Sequence, residues 1–183
     1  MMAFFIIFMF SFVLFISFMS KAAHADEIDY TEEITEMIRE FLSEDDWHFD
    51  FDDENGCFTF NISIDGKLQH LRYVIYVKDD GYTVYAVSPL NADSDDPAVM
   101  SKMADFICRA NYGIRNGNFE LDMRDGEIRY KVFVDCDENL PNQNIVRNSI
   151  VIPSVMFERY SAGIIDVMFK DSSAEDAITK CEG

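Results

Sequence analysis

From Trp47 to Val87 apolar and polar residues alternate, and the alternation is interrupted mainly at Asn55-Gly56, Asp65-Gly66 and Asp80-Gly81. A period of two punctuated by such dipeptides is the pattern of antiparallel strands joined by tight turns. It predicts a meander of four strands. Read as a two-residue turn, Asn55-Gly56 sets Phe51 opposite Phe60, Phe49 opposite Ile62 and Trp47 opposite Ile64. Asp52, Asp50 and His48 then face Thr59, Asn61 and Ser63 on the other side. All apolar residues share one face, which a slip of one residue would destroy. Leu71, Tyr73, Ile75 and Val77 continue that face, and Asp80-Gly81 pairs Val77 with Val84 and Ile75 with Ala86.

A sheet with one apolar face needs a covering layer, and three helical patterns supply it. Asp29 precedes apolar residues spaced by three and four from Tyr30 to Leu42, with Glu32 placed as a capping partner, so a helix is expected over about 30–43. Asp96-Pro97 is an N-cap followed by a proline at the first helical position, opening a helix to about Asn111. From Asn142 to about Phe169 the pattern is helical again with Pro153 inside it, which predicts a kink or two helices meeting there. Ser173 is placed to cap a final short turn containing Ile178 and Cys181. Between the second and third helices, Asp125-Gly126 predicts a hairpin pairing Phe119 with Val132, Leu121 with Tyr130 and Met123 with Ile128. Its outward pairs, Glu120 with Lys131, Asp122 with Arg129 and Arg124 with Glu127, are all of opposite sign.

The fold class is therefore α+β: an antiparallel sheet of about six strands, a meander of four plus a hairpin. It is packed with an N-terminal helix, a middle helix and a kinked C-terminal helix.

Before this unit stands an apolar run from Phe4 to Met19 ending at Ala23-His24-Ala25, which reads as an export signal with a small-x-small cleavage site. Residues 1–25 are thus expected to be removed and 26–183 to form one domain in the periplasm or outside the cell. The alternative is an uncleaved anchor, since residues 1–19 would reach about 28 Å as a helix. The leader carries Lys21 and no acid, so the net charge of −19 becomes −20 without it. Such a surface repels nucleic acid and anionic lipid. In an oxidising compartment Cys57, Cys108, Cys136 and Cys181 are candidates for two disulfides, with three possible pairings.

Chemistry is scarce. His48, Asp50 and Asp52 alternate on one strand, and His70 is expected opposite Asn61 on the next, an arrangement able to hold a divalent metal only if the side chains converge. The favoured reading is that they are simply solvated outward positions of a half-buried sheet. Residues 50–61 fail as a calcium loop, with Asn55 where glycine is required. No nucleophile motif, phosphate loop or dinucleotide fingerprint occurs. No catalytic, cofactor-binding or metal-binding residue is therefore assigned. A second apolar patch of Val74, Tyr76, Tyr85 and Val87 falls on the opposite sheet face, to be covered by a later helix or by a partner molecule.

The run Arg109-Ala110-Asn111-Tyr112, then Gly117-Asn118-Phe119-Glu120-Leu121-Asp122, then Asp125-Gly126-Glu127-Ile128-Arg129-Tyr130 resembles the corresponding run of the YbjN-type domain family. That family has a fold like the type III secretion chaperones. The resemblance spans about 30–169 and is specific over 100–134. It implies a chaperone-like binding or signalling role and supplies no catalytic residues. The function expected is an exported, non-enzymatic binding or interaction module that holds a peptide or protein or forms a homodimer. The alternative is a metal-dependent hydrolase using His48, Asp50 and His70.

Overall fold

The computed structural model describes residues 29–137 and 139–183, so the expected export segment lies outside the described residues. Helix α1 (Thr31–Glu44) is followed by strands β1 (Asp50–Asp52), β2 (Cys57–Ser63), β3 (His70–Lys78) and β4 (Gly81–Val87). Helix α2 (Pro97–Asn111), strands β5 (Asn118–Leu121) and β6 (Ile128–Asp135), and helices α3 (Gln143–Phe169) and α4 (Ala174–Glu182) complete the order. The six strands form one antiparallel sheet in the order β1-β2-β3-β4-β6-β5. After β4 the chain passes through α2 to the far edge and returns as β6, which closes on β4. Both edge strands are short, with β1 three residues long and β5 four.

The helix starts follow their local chemistry. The Asp29 carboxylate accepts from the Thr31 amide at 2.9 Å, one residue ahead of the formal cap, and the Thr31 hydroxyl and amide together lower its pKa. Asp96 caps α2 by accepting from Ala98 and Val99, with Pro97 first in the helix. Ser173 caps α4 through the Asp176 amide at 3.1 Å. Each satisfies backbone donors that have no partner inside the helix.

Three hairpins keep the expected faces but not the expected pairs. Phe51 lies opposite Phe58, Ile75 opposite Val84, and Phe119 opposite Tyr130, each displaced by two residues from the two-residue-turn reading. The cause is the carboxylate at the start of two of the loops. Asp52 accepts from the amides of Glu54 and Asn55, and Asp122 from that of Arg124, so both loops open as Asx turns and run for four residues. Gly56 and Gly126 then occupy the last loop position with φ of 59° and 75°, conformations that suit glycine. In the third hairpin Lys78 pairs directly with Gly81, so Asp79-Asp80 makes the turn and Gly81 already belongs to β4. A shift of two residues returns every side chain to its own face, so the apolar surface survives.

Helices α1, α2 and α3 lie on the side of the sheet carrying Phe58, Phe60, Tyr73, Ile75, Tyr82, Val84 and Tyr130, which are buried, and α4 packs on α2 and α3. Trp47 bridges α1 and the sheet, edge-on to Phe41 and Phe60 at 6.1 and 5.3 Å. Phe119 meets Tyr130, Phe157 and Tyr160 edge-on, an arrangement worth about 0.5–1.5 kcal/mol per pair beyond burial.

Helix α3 is one continuous helix through Pro153, not two. Proline removes one intrahelical donor, and hydroxyls bond carbonyls of the surrounding turns. Tyr73 Oη donates to the Ile150 carbonyl at 2.9 Å, Ser154 Oγ to that of Val151 at 2.8 Å, and Ser149 Oγ to that of Val146 at 2.7 Å. Tyr82 reaches Ser149 Oγ at 2.9 Å. Burial raises the pKa of both tyrosines, so they remain neutral members of the core. No helix of the described residues is long and apolar enough to cross a membrane.

Candidate binding surface

The pairing of the strands assembles the sheet face opposite the helices row by row. One row reads Asp52, Cys57, Tyr76, Thr83 and Phe133, and the next Asp50, Thr59, Val74, Tyr85, Lys131 and Asn118. A third reads Asn61, Arg72, Val87, Arg129 and Glu120. The expected patch of Val74, Tyr76, Tyr85 and Val87 is therefore contiguous. The helix expected to cover it does not, because every described helix is held on the other face by the larger apolar surface there. Val74 and Val87 are buried between their neighbours, while Tyr76 is 42% and Phe133 53% exposed. Phe133 enlarges the patch, and the sequence contained its signal: with Val132 facing the helices, the next residue of a strand must point the other way.

The charge pattern of this face differs from that of the whole. Within the paired strand positions Arg72, Lys78, Arg129 and Lys131 match Asp50, Asp52, Glu120 and Asp135 in number, with Glu127 at the rim, in a chain whose net charge is −19. Tyr76 and Tyr85 meet edge-on at 6.3 Å, and the Arg129 guanidinium lies 4.3 Å from the Tyr85 ring centre. Glu120 fixes Arg129 at 2.7 Å and approaches Lys131 at 3.7 Å. Of the three charged pairs expected in the hairpin, Glu120 with Lys131 forms as a diagonal contact. Arg129 instead takes Glu120 and Glu127, and Arg124 folds onto Asp122 at 2.6 Å. That contact brings the half-buried Asp122 carboxyl down to about 2.

The metal cluster considered as the alternative does not assemble. His48 and Asp50 line a cavity of about 530 Å³ with Arg72, whose positive charge opposes a cation there. His70 lies opposite Ser63, not Asn61, at the end of the strand pair. Among the described residues no group of three or more histidine, cysteine, aspartate or glutamate side chains is placed to hold a metal ion.

The expected disulfides are absent as well: Cys57, Cys108, Cys136 and Cys181 are all free. Cys57 on β2 and Cys136 after β6 are separated by β3 and β4, so three strand spacings put them roughly 14 Å apart. A disulfide requires Cα atoms within about 7 Å. Cys108 points to solvent from α2, whereas Cys181 on α4 rests against α3, with Sγ 3.9 Å from the Tyr160 carbonyl. Burial pushes the Cys136 thiol up to about 11 and raises Cys57 and Cys181 too, which keeps them protonated and poorly nucleophilic.

The segment that carries the family resemblance proves architectural. Asn111, last in α2, donates to the Phe119 carbonyl at 2.9 Å and accepts from the Phe119 amide at 2.7 Å, bonding β5 as a neighbouring strand would. Gly117 has φ 79°, and a Cβ there would stand 2.5 Å from the Lys131 carbonyl oxygen. A Cβ at Gly126 would overlap the Ala92 carbonyl. These requirements join α2, β5, β6 and the loop after β4 into one unit. The YbjN family model, described as "Putative bacterial sensory transduction regulator", matches residues 35–148. The chain belongs to the YbjN family.

A comparison with curated proteins gives no match. The family match begins inside α1 and ends in the first turns of α3, a shorter span than the expected 30–169. It contains the whole sheet and the open face, while most of α3 and all of α4 lie beyond it. In this YbjN-family protein the matched core thus presents one face to the helices and the other outward.

Proposed function

We propose that this YbjN-family chain is a non-enzymatic binding module that acts through the open face of its sheet. The observation that carries this reading is the contiguous surface of Tyr76, Tyr85 and Phe133 over Val74 and Val87, rimmed by charges of both signs. Exposed aromatic side chains beside arginine are the usual anchors of protein interfaces. The occupant we assign is a second copy of the chain. Two molecules of charge −19 repel over most of their surfaces, and this face of nearly matched charge is where they approach at least cost. A two-fold arrangement also lets the cations of one face meet the anions of the other.

The leader of residues 1–25 places the module outside the cytoplasm in this reading, with retention by an uncleaved anchor as the variant form. Burial protects the Cys57 and Cys136 thiols in such a compartment, whereas Cys108 is exposed. A metal-dependent hydrolase is disfavoured by the dispersal of His48, Asp50 and His70.

Light scattering on the chain at tens of micromolar tests the reading. A dimer that becomes a stably folded monomer in the Tyr76→Ser/Phe133→Ser variant supports it. A monomeric parent, or a dimer untouched by the substitutions, overturns it.

A further inference from the structure

Away from the sheet face, the loop after α2 and the outer side of α3 enclose a cavity of about 400 Å³. Its floor is Tyr130 and Tyr160, and its apolar walls come from Ile114, Ile152 and Met156. Tyr112, 92% exposed, stands at the rim. Arg115 enters from the loop and Arg159 from α3, where its guanidinium lies 5.3 Å from the Tyr160 ring centre.

These two arginines converge on one cavity without a carboxylate of their own. The chain has 34 acidic residues for 15 basic ones, and most of its described cations sit within ion-pair distance of a carboxylate. Among the described residues neither Arg115 nor Arg159 does. The cavity's one acid, Glu182, is occupied: Tyr160 Oη donates to it at 2.6 Å, and the phenol's pKa, pushed up to about 12, keeps that proton in place. Tyr130 is similarly committed to the Asn116 carbonyl. The phenols are thus locked as donors to the protein; Arg159 Nε makes one long contact to the Cys181 carbonyl at 3.5 Å, and the remaining guanidinium N–H groups of Arg115 and Arg159 are the cavity's cationic donors, beside the one carboxylate of Glu182.

We propose that this cavity binds a small amphipathic anion: an apolar or aromatic body seated on Ile152, Met156 and Tyr112, with a carboxylate or phosphate held by Arg115 and Arg159. Guanidinium groups suit either head group, because both accept paired N–H donors. The size suits a drug-sized molecule and not a folded partner. Attraction of an anion to a chain of charge −19 is unfavourable at long range, so recognition here depends on the local pair and on burial of the apolar body. This inference stands independently of the sheet face.

Titration of the full chain with 8-anilinonaphthalene-1-sulfonate, an aromatic anion whose emission rises in apolar sites, provides the test. One saturable site is expected on the native protein below its melting transition. Arg115→Gln/Arg159→Gln should weaken it tenfold or more, and Arg115→Gln alone, at an exposed loop position without a partner, threefold or more. Because the single variant leaves the helix contacts intact, it carries the test if the double variant melts early. Octanoate or octyl phosphate should displace the probe where equal octanol does not, and the stronger of the two names the head group. Affinity unchanged in both variants, displacement by octanol as effective as by the anions, or loss of the site in Tyr76→Ser/Phe133→Ser would overturn the proposal.

Discussion

Asn111 ends a helix and at the same time completes a strand pairing, since its amide bonds both the N–H and the C=O of Phe119. Asn111→Ala leaves the Phe119 N–H without its side-chain partner and the Phe119 carbonyl with only the Asn118 side-chain amide at 3.1 Å, at a cost of about 1–3 kcal/mol. Asn111→Asp retains the acceptor and loses the donor, so its loss should fall between the parent and the alanine variant. Urea denaturation of the three proteins gives the order, and equal midpoints would show that water replaces the amide without penalty. The sequence marked Asn111 only as a helix end. Its second role was hidden because the partner lies eight residues away across an irregular loop, where no periodicity links the two. Gly117 is more legible: a glycine between a helix and a strand suits a tight bend, and it takes φ of 79° with the Lys131 carbonyl close by.

Between elements, Asp166 ties the end of α3 to α4. Its carboxylate accepts from Lys170 at 2.7 Å and Lys180 at 2.5 Å, and these bonds hold its pKa below the ordinary value. A carboxylate with a lowered folded-state pKa stabilises the fold above its unfolded pKa of about 3.9 and loses that effect as pH falls through the folded value. Asp166→Asn should therefore be less stable than the parent at pH 7, by about 1–2 kcal/mol for a charge-assisted pair of bonds. The gap should close only below about pH 4. A gap of the same size at pH 3 would assign the effect to shape and not charge.

Element types and their faces were readable because a period of two or of three to four residues survives any local detail. Register was not, since glycine fits the end of a four-residue loop as well as a two-residue turn. Asp52 and Asp122 decided between them by bonding the amides that follow. Pro153 left a kink and two meeting helices open, and the helix is continuous. The hydroxyls of Tyr73 and Ser154, which bond carbonyls around it, come from another element or from the next residue and leave no period.

At the scale of the molecule, a net charge of −19 makes self-repulsion stronger than the scattered ion pairs, each worth roughly 0–1 kcal/mol when exposed. Raising ionic strength from about 0.01 to 0.15 M shortens the screening length from about 30 to 8 Å. The melting temperature should rise by a few degrees over that range. A fall would mean that pairs such as Arg109 with Asp105 outweigh the repulsion. The apolar outer patch was legible in Val74, Tyr76, Tyr85 and Val87, but its remaining open was not, because side choice among helices depends on the total apolar area of each face. The candidate cavity was illegible altogether, since Arg115 and Arg159 come from a loop and a helix that only the fold brings together.

The brevity of β1 and β5 has one last effect on how copies of this chain can meet. Three or four residues offer too few unpaired backbone groups to template a growing ribbon, so lengthening the sheet from either margin is blunted. Copies that do come together are left to stack broadside, a geometry that closes on itself after two instead of extending into a fibre.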